Sequence, residues 1–288
     1  MKPTTKTRQP KPAWLKRSLP TGTDYERVRK LLGRSNLHTV CQEAKCPNMW
    51  ECFSKRTSTF MIMGDKCTRN CSFCNVKTGN PLPLDSDEPL RVARAAFELG
   101  LKYVVITSVT RDDLDDGGAH HFSMTIKKIK ELLPHGTKVE VLIPDFQGDS
   151  DALNRVMEAQ PDVLNHNIET VPSLYATVRP EAIYKRSLEL LRRASQYKVS
   201  VKSGIMVGFG ETKDELEETI IDLYKHGCTI LTVGQYLQPS AKYLPVVKYY
   251  EPQEFDELKI FAESVGFTSV ASAPFVRSSY EADRLCGL

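Results

Sequence analysis

Six times along residues 58–266, a short apolar run is followed by a segment whose apolar residues recur every three or four positions. The runs, at residues 59–63, 103–107, 139–143, 163–168, 199–207 and 228–233, have strand length and are rich in β-branched residues. Helices are predicted between them. Leu90, Ala93 and Phe97 share a face after a cap at Ser86 and before Gly100; Phe122, Ile126, Ile129 and Leu133 form a stripe stopped by Pro134. Residues 151–159 make a short helix, and Leu188 and Leu191 mark another that ends near Lys198. Thr212 and Glu215 form a capping box ahead of Leu216, Ile220 and Leu223. Phe255, Leu258, Phe261 and Val265 precede Gly266, and residues 268–271 read as one more strand. Such alternation implies parallel pairing with right-handed crossovers. A doubly wound sheet and a partial (β/α)6 barrel of the TIM type both satisfy it.

The 288 residues suit one large domain or two small ones, and 41% hydrophobic with 26% charged residues is ordinary for a soluble globular chain. No apolar run approaches the roughly 18 residues of a membrane span. No apolar stretch follows the first lysines as in a secretory signal, and four prolines among residues 1–20 oppose an amphipathic presequence. A cytoplasmic protein is expected. A net charge of +3 gives nucleic acid little to bind, although residues 1–20 carry six Lys/Arg and no acid. This segment reads as an arm, with Trp14 as an aromatic anchor. A helix is predicted from Tyr25 to Leu32, capped by Gly33.

Six of the eight cysteines fall between residues 41 and 74, which in a chain without a signal suggests metal or redox chemistry. Cys67-x3-Cys71-x2-Cys74 offers three ligands. A tetrahedral zinc site wants four, usually in paired hooks. A cubane iron–sulfur cluster held by three thiolates keeps one iron open for a small molecule. Cys41-x4-Cys46-x5-Cys52 is a second odd triplet. It reads as another cluster without its fourth local ligand, with three buried thiols, or a zinc site completed by His38, as the alternatives. Cys228 reads as a core thiol, and Cys286 has no evident partner.

Polar residues recur where the predicted strands end. They are Thr107-Ser108 leading to Arg111-Asp112-Asp113, then His166-Asn167-Ile168-Glu169, then Gly208 and Gly210 after Lys202-Ser203, and Gln235 to Gln238. In a barrel, sites gather at this end of the strands. The acidic run Asp112, Asp113, Asp115 and Asp116 lacks calcium-loop spacing and reads as a solvated or capping cluster. His120 and His121 read as exposed helix residues, and His226 as a residue at a helix C-terminus.

Cys67-x3-Cys71-x2-Cys74, with Phe73 before the third cysteine, resembles the signature of the radical S-adenosylmethionine (SAM) enzymes. The second triplet and Arg277-Ser278-Ser279-Tyr280 make the chain closely similar to the lipoyl synthase family. Further matches are Lys11-Pro12-x-Trp14-Leu15-Lys16, Thr107-Ser108-Val109-x-Arg111-Asp112-Asp113-Leu114, Asp116-Gly117-Gly118-Ala119, Asn165-His166-Asn167-Ile168-Glu169-Thr170 and Val178-Arg179-Pro180. The resemblance implies a partial (β/α)6 barrel over residues 58–266. An N-terminal extension (1–57) carries the auxiliary-cluster cysteines, and a C-terminal extension (267–288) carries the Arg-Ser-Ser-Tyr motif.

It implies two [4Fe–4S] clusters and SAM as cofactors. Cys67, Cys71 and Cys74 would be the catalytic cluster ligands. Cys41, Cys46, Cys52 and Ser279, with Ser278 as the fallback, would hold the auxiliary cluster. Phe73, Thr107, Asn167, Glu169, Arg179 and Gly208 would contact SAM, Thr107-Ser108 standing where the superfamily usually has Gly-Gly-Glu. The implied reaction is radical insertion of two sulfur atoms, drawn from the auxiliary cluster, at C6 and C8 of an octanoyl chain on a carrier-protein lysine. The implied partners are octanoylated carrier domains (the 2-oxoacid dehydrogenase E2 subunit and the glycine cleavage H protein), a reductant such as ferredoxin or flavodoxin, and an iron–sulfur carrier. A biotin synthase-like sulfur inserter, a methylthiotransferase and a zinc-stabilised RNA-binding module are the competing readings.

Overall fold

The computed structural model describes residues 10–16 and 23–285. Its main sheet has eight strands in the order β1-β2-β5-β6-β7-β8-β9-β10. β1 (His38–Thr39) runs antiparallel to β2 (Thr59–Ile62). The remaining strands are β5 (Tyr103–Ser108), β6 (Lys138–Leu142), β7 (Val163–Asn165), β8 (Ser200–Val207), β9 (Ile230–Gln235) and β10 (Ser269–Ser272). Each of these pairs parallel with the one before it, starting from β2. β3 (Lys66–Cys67) and β4 (Lys77–Thr78) form a separate parallel pair. A doubly wound sheet reverses its strand order at a switch point. This one never reverses, so it curls in one direction. β1 and β10 do not pair with each other, which leaves the barrel open.

Helices return the chain between strands: α4 (Glu88–Leu99), α5 (Ala119–Leu132), α6 (Ser150–Glu158), α7 (Tyr175–Val178) with α8 (Tyr184–Ala194), α9 (Lys213–Lys225) and α10 (Pro252–Val265). Gly100 ends α4 at φ 69°, a conformation that costs glycine nothing. The Thr212–Glu215 capping box opens α9. β2 is buried at every position, as expected of a strand covered on both faces. Before the barrel come α1 (Thr23–Arg34), α2 (Val40–Glu43) and α3 (Met49–Ser54), and α11 (Ala282–Leu285) follows it.

Several local expectations are corrected. α1 runs through Gly33 to Arg34. Asp87, not Ser86, precedes α4, and its side chain makes no capping bond. β7 ends at Asn165, although His166 N–H still donates to Lys202 O. Leu15, 4% exposed, anchors the 10–16 segment, whereas Trp14 is 37% exposed. His121 is buried, with Nε2 2.7 Å from Glu88 Oε2. Cys228 is fully buried, as expected, and Cys286 lies outside the described residues.

Candidate active site

The loop from Cys67 to Cys74 bridges β3 and β4, and nearly every residue between its cysteines is tied to a different part of the barrel. Thr68 N–H and Oγ1 donate to Thr110 O, and Thr68 Oγ1 accepts from Asp112 N–H. Arg69 forms ion pairs with Asp112 and Asp145. Asn70 N–H donates to Glu181 Oε1, and Ser72 N–H to Val178 O. Phe73 faces Phe209, ring centroids 6.3 Å apart, and Phe209 stacks on Tyr236. Thr110 N–H donates to Cys67 Sγ at 3.3 Å. Spacing alone gave the three thiols; the tethers turn eight residues into a fixed cradle.

The second triplet is carried on two short helices. Thr39 Oγ1 caps α2 by accepting from Gln42 N–H, and Cys41 lies on that helix. Cys46 N–H donates to Cys41 O, and Cys52 sits on α3. Trp50 of α3 stacks on Tyr25 of α1 at 4.2 Å, which holds this segment to the core. The C-terminal segment reaches the same place. Asn48 Nδ2 donates to Phe275 O at 2.7 Å, Tyr280 Oη to Glu51 Oε1 at 2.8 Å, and Lys55 Nζ to Glu281 Oε1 at 3.0 Å. Beneath it, Gly234 on β9 lets the chain pass: a Cβ there would lie 2.1 Å from Val276 O.

Both triplets line one cavity of about 510 Å³, together with Ser278 and Ser279. Burial pushes the Cys41, Cys52 and Cys74 thiols up to about 12, and neighbouring cysteines add to the effect. Cys71 is raised by burial too, against Arg179 and Arg69, which lower it. Such thiols ionise together only when cations share the cavity. Among the described residues, no three His, Cys, Asp or Glu side chains form a group that could hold a single metal ion.

The segment after β7 divides its side chains between structure and cavity. His166 Nδ1–H donates to Ile143 O and Nε2 accepts from Ser187 Oγ, both at 2.9 Å; burial holds the ring neutral, with its pKa down at about 4. Asn167 and Glu169 line the cavity, with Glu169 at φ 68°. Asn167 Nδ2 donates to Glu169 Oε1 at 3.2 Å and to Ser278 Oγ at 3.3 Å, whereas Asn167 Oδ1 has no partner. Arg179 Nη1 donates to Asn167 O and Ile168 O, and its Nε is unpartnered. Burial raises Glu169 despite the nearby Arg179.

Of the residues expected to contact a cofactor, Phe73, Thr107, Asn167, Glu169 and Arg179 line the cavity. Thr107 Oγ1 is taken by Leu142 O, and it is Ser108 Oγ that is buried without a partner. Gly208 is not among the residues that line the cavity. It packs under the wall, where a Cβ would lie 2.3 Å from Gln235 Nε2. The close approach belongs to Gly204, whose added Cβ would sit 2.8 Å from Asn167 Oδ1 and Thr232 Oγ1. Gly204 was visible in the sequence as the first glycine of Gly204-x-Met206-x-Gly208-x-x-Glu211, a stretch that resembles a Gly-x-Ile-x-Gly-x-x-Glu pattern of the radical SAM enzymes. Ser108 was visible as a polar strand end beside Thr107, whereas Thr232 and Gly234 gave no signal that separated them from ordinary strand residues. The acids after β5 are mostly engaged: Asp112 with Arg69, Asp113 with Arg111, and Asp116 accepting Gly118 and His120 N–H.

A family model for the radical SAM superfamily matches residues 61–223, and one for the N-terminal domain of lipoyl synthase matches residues 1–46. A lipoyl synthase from Caldicellulosiruptor saccharolyticus is 56% identical over 275 residues, covering 95% of this chain and 96% of its own. One from Desulfotalea psychrophila is 57% identical over 277 residues, covering 96% and 92%. The chain belongs to the lipoyl synthase family. Among solved structures, methylornithine synthase superposes with a TM-score of 0.55 at 16% identity, covering 89% of this chain and 84% of that one. The [FeFe]-hydrogenase maturase HydG gives a TM-score of 0.55 at 16% identity, covering 86% and 67%. These two share the partial barrel.

A lipoyl synthase uses [4Fe–4S] clusters and SAM, and the residues present suit them. A cubane takes one thiolate per iron, so each triplet serves three irons and leaves a fourth. Around the Cys67 triplet, Ser108 Oγ, Asn167 Oδ1 and Arg179 Nε are a hydroxyl, an acceptor and a cationic donor left unsatisfied by the protein. They match the ammonium, carboxylate and hydroxyl groups of SAM.

Proposed function

We propose that this chain carries out its family's reaction in the single cavity onto which both cysteine triplets open. As a lipoyl synthase it is a radical SAM sulfurtransferase that inserts two sulfur atoms at C6 and C8 of a carrier-bound octanoyl chain. In this reading Cys67, Cys71 and Cys74 hold the catalytic cluster. Cys41, Cys46, Cys52 and Ser279 hold the auxiliary one. The support for Ser279 over Ser278 is hydrogen bonding: Ser278 Oγ is engaged by Asn167, whereas the Ser279 hydroxyl has no hydrogen-bond partner among the described residues.

When bound, the catalytic cluster would pass on an electron from the reductant, SAM would supply the carbon radical, and the auxiliary cluster would supply the sulfide. The protein's own groups orient and exclude. Arg179, through its unpartnered Nε, would hold the SAM carboxylate, Asn167 Oδ1 would accept from its ammonium or ribose, and Glu169 would accept from ribose hydroxyls. Phe73, packed on Phe209, shields the site from water, and Thr107 fixes the strand end beside Ser108. Met61, Leu142, Ile143 and Ile205 give the octanoyl chain an apolar wall. Residues 1–57 and 267–288 act as extensions that bring the sulfur source to the barrel of residues 58–266. The carriers in this reading are octanoylated lipoyl domains, such as those of the 2-oxoacid dehydrogenase E2 subunit and the glycine cleavage H protein. Ferredoxin or flavodoxin supplies electrons, an iron–sulfur carrier rebuilds the auxiliary cluster, and the setting is cytoplasmic. No helix among the described residues is long and apolar enough to cross a membrane.

The observation that carries this reading is the shared cavity of the two triplets and the serine segment. Anaerobic reconstitution tests it: about eight irons and eight sulfides per chain, with lipoyl product on an octanoylated carrier domain, are expected. About four of each would refute the auxiliary site.

A further inference from the structure

Arg69 lies between the first two cysteines of the catalytic loop and is buried. Its Nε and Nη2 donate to Asp112 Oδ2 and Oδ1 at 2.6 and 2.8 Å, and Nη2 also reaches Asp145 Oδ1 at 2.6 Å. Asp145, whose side chain is fully buried, accepts Arg186 Nε on its other oxygen at 2.7 Å. Asp112, Arg69, Asp145 and Arg186 therefore alternate in sign. They come from the loop after β5, the cysteine loop, the loop after β6, and α8. The two cations and two anions cancel beside a cavity that must accept an electron.

We infer that Arg69 is a positioning residue for the Cys67 cluster: its guanidinium pins the cysteine loop to two strand ends and cancels the carboxylates that would otherwise oppose reduction. Charge and hydrogen bonding near a cluster set its potential, and buried carboxylates act over a longer range than solvated ones. The bidentate fork to Asp112 is a geometry that lysine cannot reproduce. The inference rests on assigning the first cluster to Cys67, Cys71 and Cys74.

The test uses the full chain with clusters reconstituted, and the same chain carrying Cys41→Ala, Cys46→Ala and Cys52→Ala so that one cluster is read alone. Iron and sulfide are counted first; if the triple-alanine chain binds no cluster, the assignment fails rather than the role of Arg69. Redox titration followed by electron paramagnetic resonance then gives the midpoint potential, and equilibrium dialysis gives the SAM dissociation constant. Arg69→Gln is expected to lower the reduced-to-oxidised ratio about tenfold at fixed potential, a shift of about 59 mV for one electron. Arg69→Lys should keep the potential near wild type yet weaken SAM binding several-fold. Adding Asp145→Asn to Arg69→Gln should restore most of the potential. Unchanged potential and unchanged SAM affinity in Arg69→Gln overturn the inference. If Arg69→Gln loses the cluster, Asp145→Asn alone is decisive: a raised midpoint supports the role, and an unmoved one refutes it.

Discussion

Ser278 and Ser279 are neighbours in sequence but not in partnership. Ser278 is tethered to Asn167, so Ser278→Ala should leave iron content unchanged, whereas Ser279→Ala should lower the occupancy of the auxiliary cluster in iron and sulfide assays. Ser279→Cys is the sharper experiment. A thiolate suits iron better than an alkoxide, so the cluster should be retained while single-turnover sulfur insertion slows. Wild-type turnover in Ser279→Cys would refute the idea that a weakly held, serine-bound iron must leave to free its sulfide. Gly204 offers a second residue-scale prediction. Alanine there presses on Asn167 Oδ1 and Thr232 Oγ1, and should weaken SAM binding about tenfold or more by equilibrium dialysis with little change in melting temperature. At this scale cysteines are legible from spacing because their chemistry is rare. Thr232 and Gly234 are not, because their importance lies in what faces them across the sheet.

At the scale of elements, the strand–helix alternation was readable because periodicity reports burial, and burial follows the barrel. The helices carrying Cys41 and Cys52 were not. α2 and α3 have four and six residues, too few to show a period. They persist because Thr39 caps one and Trp50 packs the other onto Tyr25. Their thiols give a pH prediction. The Cys41 and Cys52 thiols are raised from 9.0 to about 12 in the cluster-free fold, so folding favours their protonated forms. That stability is complete below pH 9 and is lost as pH rises toward 12. The melting temperature of the cluster-free protein should therefore fall between pH 8 and pH 10 more steeply than that of a Cys41→Ala, Cys52→Ala variant.

At the scale of the whole molecule, a buried polar knot lies inside the barrel. Lys202 Nζ donates to both Glu140 oxygens at 3.0 and 3.1 Å, Asn165 Nδ2 adds a bond at 3.0 Å and Tyr103 Oη one at 2.6 Å. Lys202 and Glu140 are fully buried. Removing one partner strands a charge, so Lys202→Met should cost about 3–5 kcal/mol in denaturant unfolding of the cluster-free protein. Glu140→Gln with Lys202→Met should recover much of that. The sequence placed Lys202 on a strand but left its partner unknown, since the two are 62 residues apart.

The clasp between Asn48 and Phe275 joins residues 227 apart. Chains are made from the N-terminus, and domains settle in that order. The catalytic loop and the strand ends that moor it are complete once β9 is made. The second triplet emerges earlier still, whereas Ser279 emerges only after β10. On the proposed ligand set, the newborn chain therefore acquires its sulfur supply after its catalytic loop: an order of assembly follows from the positions of those residues.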